Sequence, residues 1–472
     1  MKSNLAVSAI AQKFNISRSG ADVAISSVSM ASNTCKPGSL FIATAGLKHH
    51  GLDFLQQALA NGAVAVLSDR EVSGIPSLLH PDPKAIAGEL SDLVYGTSDS
   101  QMTLFGVTGT NGKTSTTNYL HQLLNAAGKP SGMSASTNRI VGGQHLPAAL
   151  TSPEVTELHD LLSQMRAVGE QHAAIEVSAQ ALLRHRVDGV MFSVVGFSNL
   201  SRDHLDDFSS MQQYLDAKAQ LFTPKYAKSG VVLVEDEYAR KLYESSPIPV
   251  VGIGEGLEYG YSYQAGELTI TGKHALTAHF DQGALMAKNL VLALVMLLEA
   301  GVSAQELESA VNSTELYVPG RLELVSNHKP HVYVDYAHTP AGVAGAVMEI
   351  KQRYPKLTVI LGASGNRDQG KRAEMGLAGA NADLLIITDQ HPRDEDPASI
   401  RHALVAAASS KLEAGRILEI PDPAVAIEVA ISQTDSDSAV LWCGPGHLTY
   451  REIQGQKVPF DARALARKAV GS

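Results

Sequence analysis

The sequence predicts an α/β protein made of doubly wound, mainly parallel sheets. Short β-branched runs recur along the chain, and they are apolar on both faces, as strands inside a parallel sheet are. Helix-like segments separate these runs, which is the alternation that βαβ units require. The length of 472 residues predicts about three domains.

Eight of these runs are predicted strands, and two breaks in composition divide them. The strands are 103–109, 172–178, 193–199, 230–236, 331–337, 357–363, 383–389 and 439–444. A small, polar stretch spans 96–102, and a Pro-Gly pair follows a helix-like segment within 317–323. We therefore expect domains at 1–98, 99–319 and 320–472.

The composition excludes several classes of protein. The chain is 44% hydrophobic and 18% charged, with a formal net charge of −10, which disfavours nucleic acid as a partner. Only two cysteines occur, Cys35 and Cys443, so a disulfide scaffold is excluded. The sequence has no signal-peptide pattern and no run of about 18 apolar residues that would span a membrane. We expect a cytoplasmic monomer with neither a membrane nor a nucleic-acid partner.

A glycine-rich loop between a predicted strand and an amphipathic helix predicts a phosphate site. It reads Gly109-Thr110-Asn111-Gly112-Lys113-Thr114 and is followed by Ser115. Glycines let backbone amides turn toward a phosphate, and the helix N-terminus adds a partial positive charge. We expect Lys113 to reach the β- and γ-phosphates and the Thr114 hydroxyl to bind Mg²⁺. Val107 stands where the common GxxxxGK[ST] loop has its first glycine, and the loop alone leaves ATPase, GTPase, kinase and ligase open.

Further segments add acidic, imidazole and amine groups. Glu176 ends a predicted strand, Asp203 and His204 follow another, and Lys218 lies in a helix-like segment. Ligands of open α/β sheets gather at the carboxyl ends of strands, where Glu176 and His204 are expected. Oxygen and imidazole ligands suit a second Mg²⁺ that bridges phosphate and substrate. For each residue alone, an exposed polar group or a helix salt bridge is the alternative explanation.

Several motifs together resemble the Mur ligases, ATP-dependent amide-forming enzymes of peptidoglycan precursor synthesis, and among them the tripeptide synthetases. The motifs are GTNGKT, EVSAQALLRHRV at 176–187, NLSRDHLD at 199–206, YLDAKAQLF at 214–222, DYAHTP at 335–340, SGNRDQGKR at 364–372 and HPRDEDP at 391–397. Residues 36–67 are similar to the family's UDP-binding domain. The resemblance implies three domains. They are an N-terminal UDP-binding domain, a central P-loop ATPase-type domain with a parallel or mixed sheet, and a Rossmann-like C-terminal domain that binds an amino acid.

The resemblance also implies roles for individual residues. Those implied for ATP are Gly109, Thr110, Asn111, Gly112, Lys113, Thr114, Ser115, Asn289, Arg321, Asp335 and His338. Those implied for two Mg²⁺ ions are Thr114, Glu176, His204 and Lys218, and the implied catalytic set is Lys113, Lys218, His204 and Asp335. In the family, the counterpart of Lys218 carries a CO₂-derived carbamate, which turns a cation into an anionic metal ligand.

The implied reaction joins UDP-MurNAc-L-Ala-D-Glu to a third amino acid through an acyl phosphate made from ATP. The residues implied for UDP-MurNAc-L-Ala-D-Glu are Ser32, Leu47, Lys48, His49, Thr151, Ser152, Ser178, Arg184 and Arg186. Those implied for the amino acid are Arg367, His391, Arg393, Gly444 and Leu448. The chain departs from the family pattern at several places, among which Ala31-Ser32-Asn33 replaces Asp-Ser-Arg, Gln180 replaces a His, and Asn366 replaces an Asp.

The sequence does not determine the third amino acid. Leu448 stands where the diaminopimelate-adding enzymes have a Glu for the distal ammonium, which favours L-lysine, or L-ornithine, over meso-diaminopimelate. Arg393 argues the other way, because a guanidinium fits a carboxylate, unless it pairs with Asp394 or Glu395. Three alternatives stay open: a D-Ala-D-Ala-adding ligase, a folylpolyglutamate synthetase, and a nucleotide-dependent switch without enzyme activity.

Overall fold

A computed structural model describes residues 5–46, 48–326 and 328–471. Three main sheets of five, eleven and six strands follow one another along these residues, and helices cover them. This architecture confirms the predicted α/β class. The predicted boundaries at 98/99 and 319/320 fall between a helix and the first strand of the next sheet, and as domain limits they stay predictions.

The first sheet is small and mainly parallel. In spatial order its strands are Ser17–Ser19, Ser77–Leu79, Ala63–Ser68, Ser39–Ala43 and Ser27–Ser29, and only the first of them runs antiparallel to its neighbour. A separate ribbon pairs Leu5–Ala6 with Ala24–Ile25. The helices of this region are Val7–Phe14, Leu55–Ala60 and Ala87–Tyr95, with short 3₁₀ turns at Ser32–Thr34 and Gly51–Phe54.

The second sheet has a parallel centre with antiparallel strands at both edges. Its strands in spatial order are Gln144–Leu146, Arg139–Val141, Ser131–Ser134, His172–Glu176, Thr103–Thr108, Phe192–Phe197, Ala227–Leu233, Val250–Ile253, Tyr259–Gln264, Glu267–Gly272 and Leu276–His279. Its helices are Lys113–Ala126, Val155–Ala167, Ala179–Leu183, Met211–Ala219, Glu237–Ser245, Ala284–Glu299 and Ala304–Ser313, with a 3₁₀ turn at Gln220–Phe222. Buried apolar clusters fill both faces, so this sheet is doubly wound.

The third sheet is parallel except for its first strand. Its strands in spatial order are Glu323–Ser326, His331–Asp335, Ala439–Cys443, Leu357–Leu361, Leu384–Ile387 and Ile417–Glu419. Its helices are Pro340–Lys351, Lys371–Gly379, Pro397–Ala408, Pro423–Ser432 and Ala462–Ala469, with a 3₁₀ turn at Ala414–Arg416, and a hairpin pairs Tyr450–Ile453 with Gln456–Pro459. Apolar clusters again cover both faces.

All eight predicted strands are strands of the second and third sheets. Most are shorter at the carboxyl end than predicted, since polar residues there turn the chain out of the sheet. Ser178 shows this: its hydroxyl accepts a hydrogen bond from the Ala181 N–H and caps the next helix. Among the described helices, none combines the length and apolar character needed to cross a membrane.

Candidate active site

One cavity of about 790 Å³ collects most of the predicted site residues. It lies where the carboxyl ends of parallel strands in the second sheet face those of the third sheet, the position at which open α/β sheets bind ligands. The predicted residues that line it are Thr110, Asn111, Gly112, Lys113, Thr114, Ser115, Thr151, Glu176, Ser178, Arg184, Arg186, His204, Lys218, Asn289, Arg321, Asp335, His338 and Arg367. The others lie behind its wall or away from it.

The phosphate loop, residues 109–114, is fixed by the segment that follows a neighbouring strand. The Thr110 N–H donates to the Asn199 carbonyl at 2.9 Å, and the Asn111 N–H donates to the Asn199 side-chain oxygen at 3.0 Å. Gly112 has φ +86°, and a Cβ there would lie 2.1 Å from Oδ1 of Asn289. Only glycine fits this position, so the loop holds its shape before any ligand binds.

Two lysines and an arginine converge on this loop without an ion-pair partner among the described residues. Lys113 Nζ donates to the carbonyls of Gly109 and Thr110 at 3.0 and 2.8 Å, and Lys218 Nζ donates to Gly109 O at 2.6 Å. Arg321 donates to the Thr114 hydroxyl at 3.2 Å. None of the ion pairs found in the described residues includes Lys113, Lys218 or Arg321. Cations held without carboxylates create a site for an anion.

Burial sets the protonation of these amines. Lys218 is 1% exposed, and its burial, together with the charge of Lys113, lowers its pKa well below the usual range. Burial also lowers the pKa of Lys113, although Glu176 and Asp203 oppose this shift. Lys218 is therefore the amine in this site that most readily exists in the neutral, nucleophilic form.

The residues expected to hold Mg²⁺ line the cavity but do not form a closed cage. The Thr114 hydroxyl donates to Oε2 of Glu176 at 3.0 Å, and the same oxygen accepts from the Ser136 N–H at 2.8 Å. Across the described ranges, no three or more His, Cys, Asp or Glu side chains come together as a metal cluster. A hydroxyl beside a carboxylate is a donor pair that suits a hard cation, so Thr114 and Glu176 fit Mg²⁺.

Asp335 and Asn289 shape the site through their hydrogen bonds. The Asp335 carboxylate accepts from the N–H groups of Leu322 and Ala337 at 2.7 and 2.6 Å, and this fixes the turn that carries Arg321. The Arg321 guanidinium lies 4.4 Å from the centre of the Tyr336 ring. Asn289 packs against Gly112 and donates to the Leu285 carbonyl at 3.3 Å.

Asp203 belongs to the site although the family resemblance implied no role for it. It is 4% exposed, and its Oδ2 lies 3.4 Å from His204 Nε2 and 3.6 Å from His338 Nε2. Its Oδ1 accepts from Lys371 Nζ at 2.9 Å. Burial alone would raise the pKa of Asp203, but His338, His204 and Lys371 together hold it well below its usual range. In the sequence, Asp203 stands next to His204 and Lys371 lies within the motif at 364–372, but no local pattern indicated that the two side chains meet.

The residues implied for the muramoyl peptide divide into a supporting and a facing group. Ser152 is buried and bridges two backbone groups: its hydroxyl donates to Glu176 O at 2.9 Å and accepts from the Ser178 N–H. Arg186 is buried and paired with Glu154 at 2.7 Å. Arg184 is exposed at the rim of the cavity. Ser152 therefore supports the site, and Arg184 faces it.

The residues implied for uridine lie on the first sheet, away from the cavity. Ser32 is half-buried, and its hydroxyl donates to the Gln57 side chain at 2.7 Å. Lys48 and His49 are exposed. Leu47 lies outside the described residues.

Three segments form the amino-acid loops, which we define as 364–367, 391–395 and 450–454. The expected pairing of Arg393 with Asp394 or Glu395 is wrong: Arg393 Nε donates to Glu452 Oε2 at 3.0 Å, while Glu395 pairs with Arg372. Arg393 also donates to Gly365 O at 3.1 Å, which ties the loops together.

The other residues implied for the amino acid meet these loops or the strand ends beside them. Nδ1 of His391 accepts from the Glu452 N–H at 3.0 Å. Arg367 lines the cavity and lies 3.6 Å from Asp206. The Gly444 N–H donates to the Asp335 carbonyl, and Leu448 closes the following turn.

Comparison with known proteins identifies the family. Three family models match the chain: the Mur ligase middle domain over residues 107–291, the Mur ligase glutamate ligase domain over 320–446, and the Mur ligase family catalytic domain over 24–89. Together the three matched ranges include strands of all three main sheets.

Individual relatives agree with these matches. The chain is 39% identical to a UDP-N-acetylmuramyl-tripeptide synthetase of Leifsonia xyli subsp. xyli, over 95% of this chain and 92% of the relative. It is 34% identical to a UDP-N-acetylmuramoyl-L-alanyl-D-glutamate–2,6-diaminopimelate ligase of Streptomyces coelicolor, over 98% and 95%. A solved structure of a ligase with that same name aligns with a TM-score of 0.65 and 25% identity over 95% of each chain. The chain therefore belongs to the Mur ligase family, as its motifs predicted.

Proposed function

We propose that this protein is an ATP-dependent ligase that joins a diamino acid to the D-Glu of UDP-MurNAc-L-Ala-D-Glu. The observation that carries the proposal is the pair of cations, Lys113 and Arg321, held beside a glycine loop without an ion-pair partner among the described residues. A triphosphate supplies the missing anions. The identity with a tripeptide synthetase over nearly the whole chain supports the same substrate class.

The proposed chemistry follows from the poor reactivity of a carboxylate. In the first step a carboxylate oxygen of D-Glu attacks the γ-phosphorus of ATP, and ADP leaves. In the second step the amine of the diamino acid attacks the acyl carbon, phosphate leaves with the bonding pair, and the nitrogen loses a proton. Both steps gather negative charge on phosphoryl or acyl oxygens, which Lys113 and Arg321 are placed to stabilise.

Mg²⁺ and a carbamate belong to this proposal. Thr114 and Glu176 would hold one Mg²⁺, and Glu176, His204 and a carbamylated Lys218 would hold a second. When bound, these ions would neutralise phosphate charge and bring ATP and the substrate carboxylate together. The buried Lys218 supports this role because its lowered pKa favours the neutral amine that CO₂ requires. His338, Asn289 and Asp335 would border the nucleotide.

The nucleotide-sugar substrate is proposed to extend from the cavity to the first sheet. Thr151, Ser178 and Arg184 line the cavity and would contact the muramoyl peptide. Ser32 is half-buried and His49 is exposed, both in segments beside the first sheet, where a uridine would have access to them.

We favour L-lysine, or L-ornithine, as the amino acid, with meso-diaminopimelate as the alternative. The Arg393–Glu452 pair supports this choice. Glu452 neutralises the guanidinium that a distal carboxylate would need. It also adds an anion four residues after Leu448, which replaces the expected Glu. The Streptomyces coelicolor relative, named for diaminopimelate, keeps the alternative open.

The test is a substrate panel read by phosphate release and product mass spectrometry. UDP-MurNAc-L-Ala-D-Glu, ATP and Mg²⁺ are combined with L-lysine, L-ornithine, meso-diaminopimelate or D-Ala-D-Ala, and folate plus glutamate is a separate arm. We expect phosphate release that requires every component, and a tripeptide product with L-lysine. Phosphate release that is unchanged without the nucleotide sugar, or product only with D-Ala-D-Ala or folate, would contradict the proposal.

A further inference from the structure

A buried ion pair joins the second and third sheets beside the cavity. Asp203 follows the strand Phe192–Phe197, and Lys371 begins the helix Lys371–Gly379 after the strand Leu357–Leu361. Their charged groups lie 2.9 Å apart, and the two residues are 4% and 6% exposed. A buried Lys left without a partner is strongly unfavourable, so this pair requires the two sheets to stay in their present arrangement.

An outer pair of contacts reinforces the buried one. Arg202 lies 3.2 Å from Asp368 and 3.0 Å from Glu374. The side chains of Arg202 and Glu374 are 38% and 45% exposed, so water screens their attraction. Across the junction, the Arg202–Glu374 contact is therefore exposed and weak, whereas the Asp203–Lys371 pair is buried and strong.

The buried pair is connected to the chemistry through the second oxygen of Asp203. Oδ1 binds Lys371, and Oδ2 faces the Nε2 atoms of His204 and His338 at 3.4 and 3.6 Å. Because the carboxylate is planar, holding Oδ1 also fixes the direction of Oδ2. Lys371 itself does not line the cavity, so it acts on the site only through Asp203.

We propose that Lys371 is a positioning residue, which holds Asp203 so that the imidazoles of His204 and His338, from different sheets, lie on one side of the reacting groups. Lys371 also locks the third sheet, with its amino-acid loops, over the phosphate loop. This inference rests on the proposed function, since its consequence is measured in the amide-forming reaction.

The test compares Lys371→Met, Lys371→Arg and the matched control Glu374→Gln in the full-length protein. Lys371→Met keeps the chain length and removes the charge. We expect kcat to fall about 100-fold, because a displacement of about 1 Å at the reacting groups has that effect, while the KM for UDP-MurNAc-L-Ala-D-Glu changes less than about threefold. Lys371→Arg keeps the charge at a different reach and is expected to lower kcat about fivefold. Glu374→Gln removes only a screened contact and is expected to leave kcat within about twofold.

Two further measurements separate positioning from stability. Asp203→Asn combined with Lys371→Met should lower kcat no further than Asp203→Asn alone, because the two residues act as one unit. Small-angle scattering should give a larger radius of gyration for Lys371→Met than for the wild type, because the link between the second and third sheets is lost.

The outcomes decide between the possibilities. An active wild type with an unchanged kcat in folded Lys371→Met would overturn the inference and leave the proposed function intact. A lower melting temperature with normal kcat would show a structural role only and would also overturn it. If Lys371→Met does not fold, Lys371→Arg decides, and an unchanged kcat there would sink the idea. An inactive wild type would refute the proposed function instead.

Discussion

The phosphate loop and the amino-acid loops lie beside the same cavity, yet they are built differently. The phosphate loop is one continuous segment between a strand and a helix, and its shape depends on glycines and backbone hydrogen bonds. The amino-acid loops combine three segments far apart in the chain, held by side-chain contacts such as Arg393–Glu452. Residues 59 positions apart make that contact.

This difference separates the common chemistry from the specificity. A triphosphate can be bound by the backbone amides of one strand–loop–helix segment, so its cradle is formed by consecutive residues. We propose that the choice of amino acid depends instead on a few side-chain contacts that can change one at a time. Substitutions in the phosphate loop should therefore abolish the reaction, and substitutions in the amino-acid loops should redirect or weaken it.

The largest effect is expected at Lys113. Lys113→Met removes a cation that we propose faces the transferring phosphoryl group, and kcat should fall about 10³-fold. Phosphate release measures the loss, and circular dichroism checks the fold. Activity close to that of the wild type would place the nucleotide elsewhere.

Lys218 should come next. Lys218→Ala is expected to lower activity about 100-fold, and added short carboxylates such as acetate should restore part of it by replacing the carbamate. Carbon-13 NMR with labelled bicarbonate provides an independent measurement, since a carbamate signal should appear in the wild type alone. A full loss without rescue, together with no carbamate signal, would remove the carbamate from the proposal.

A pair of glycines tests the cradle geometry. Gly112 and Gly128 both have positive φ, but a Cβ on Gly112 meets Asn289, whereas one on Gly128 meets nothing within 4 Å. Both alanine variants should lose about 1 kcal/mol of stability from backbone strain. Only Gly112→Ala should also lose nucleotide binding, by about tenfold or more, in isothermal titration with an ATP analogue. Equal binding in the two variants would contradict the account.

Glu452 tests the amino-acid side. Glu452→Gln should raise the KM for L-lysine about tenfold and leave the KM for ATP unchanged, because it frees Arg393 and removes an anion. Glu419→Gln, which removes the Arg401–Glu419 ion pair at the edge strand of the third sheet, is the matched control and should change neither. Increased use of meso-diaminopimelate by Glu452→Gln would further support the assignment of specificity to the amino-acid loops. Equal effects of Glu452→Gln and Glu419→Gln would contradict that assignment.

The smallest effect concerns acid stability. Burial, with Arg393 nearby, lowers the pKa of His391 to about 4. In the unfolded chain His391 binds a proton near pH 6.5, whereas in the folded protein it does so only near pH 4. The contribution of His391 to the free energy of unfolding is therefore complete above about pH 6.5 and lost toward pH 4. Between these pH values the free energy of unfolding should change by at most about 1.4 kcal/mol per pH unit because of His391. Urea denaturation at several pH values measures this slope, and His391→Asn should make it smaller. An unchanged slope in His391→Asn would assign the pH dependence to other groups.

The sequence indicated much of the fold and the phosphate side of the site for a physical reason. Buried parallel strands and a strand–glycine–helix loop are local patterns, and they appeared in the positions predicted for them. Strand ends were less accurate because capping contacts decide them: the Asp335 carboxylate accepts from the Ala337 N–H and ends its strand early. The Asp203–Lys371 pair spans 168 positions, and no local pattern signals such a contact.

The most direct test of the central claim is a crystal structure with Mg²⁺ and a non-hydrolysable ATP analogue. We expect the triphosphate to bind the backbone amides of residues 109–114, with Lys113 at the β- and γ-phosphates and a metal ion between Thr114 and Glu176. An empty phosphate loop with nucleotide bound elsewhere, or a triphosphate that touches neither Lys113 nor Thr114, would contradict it.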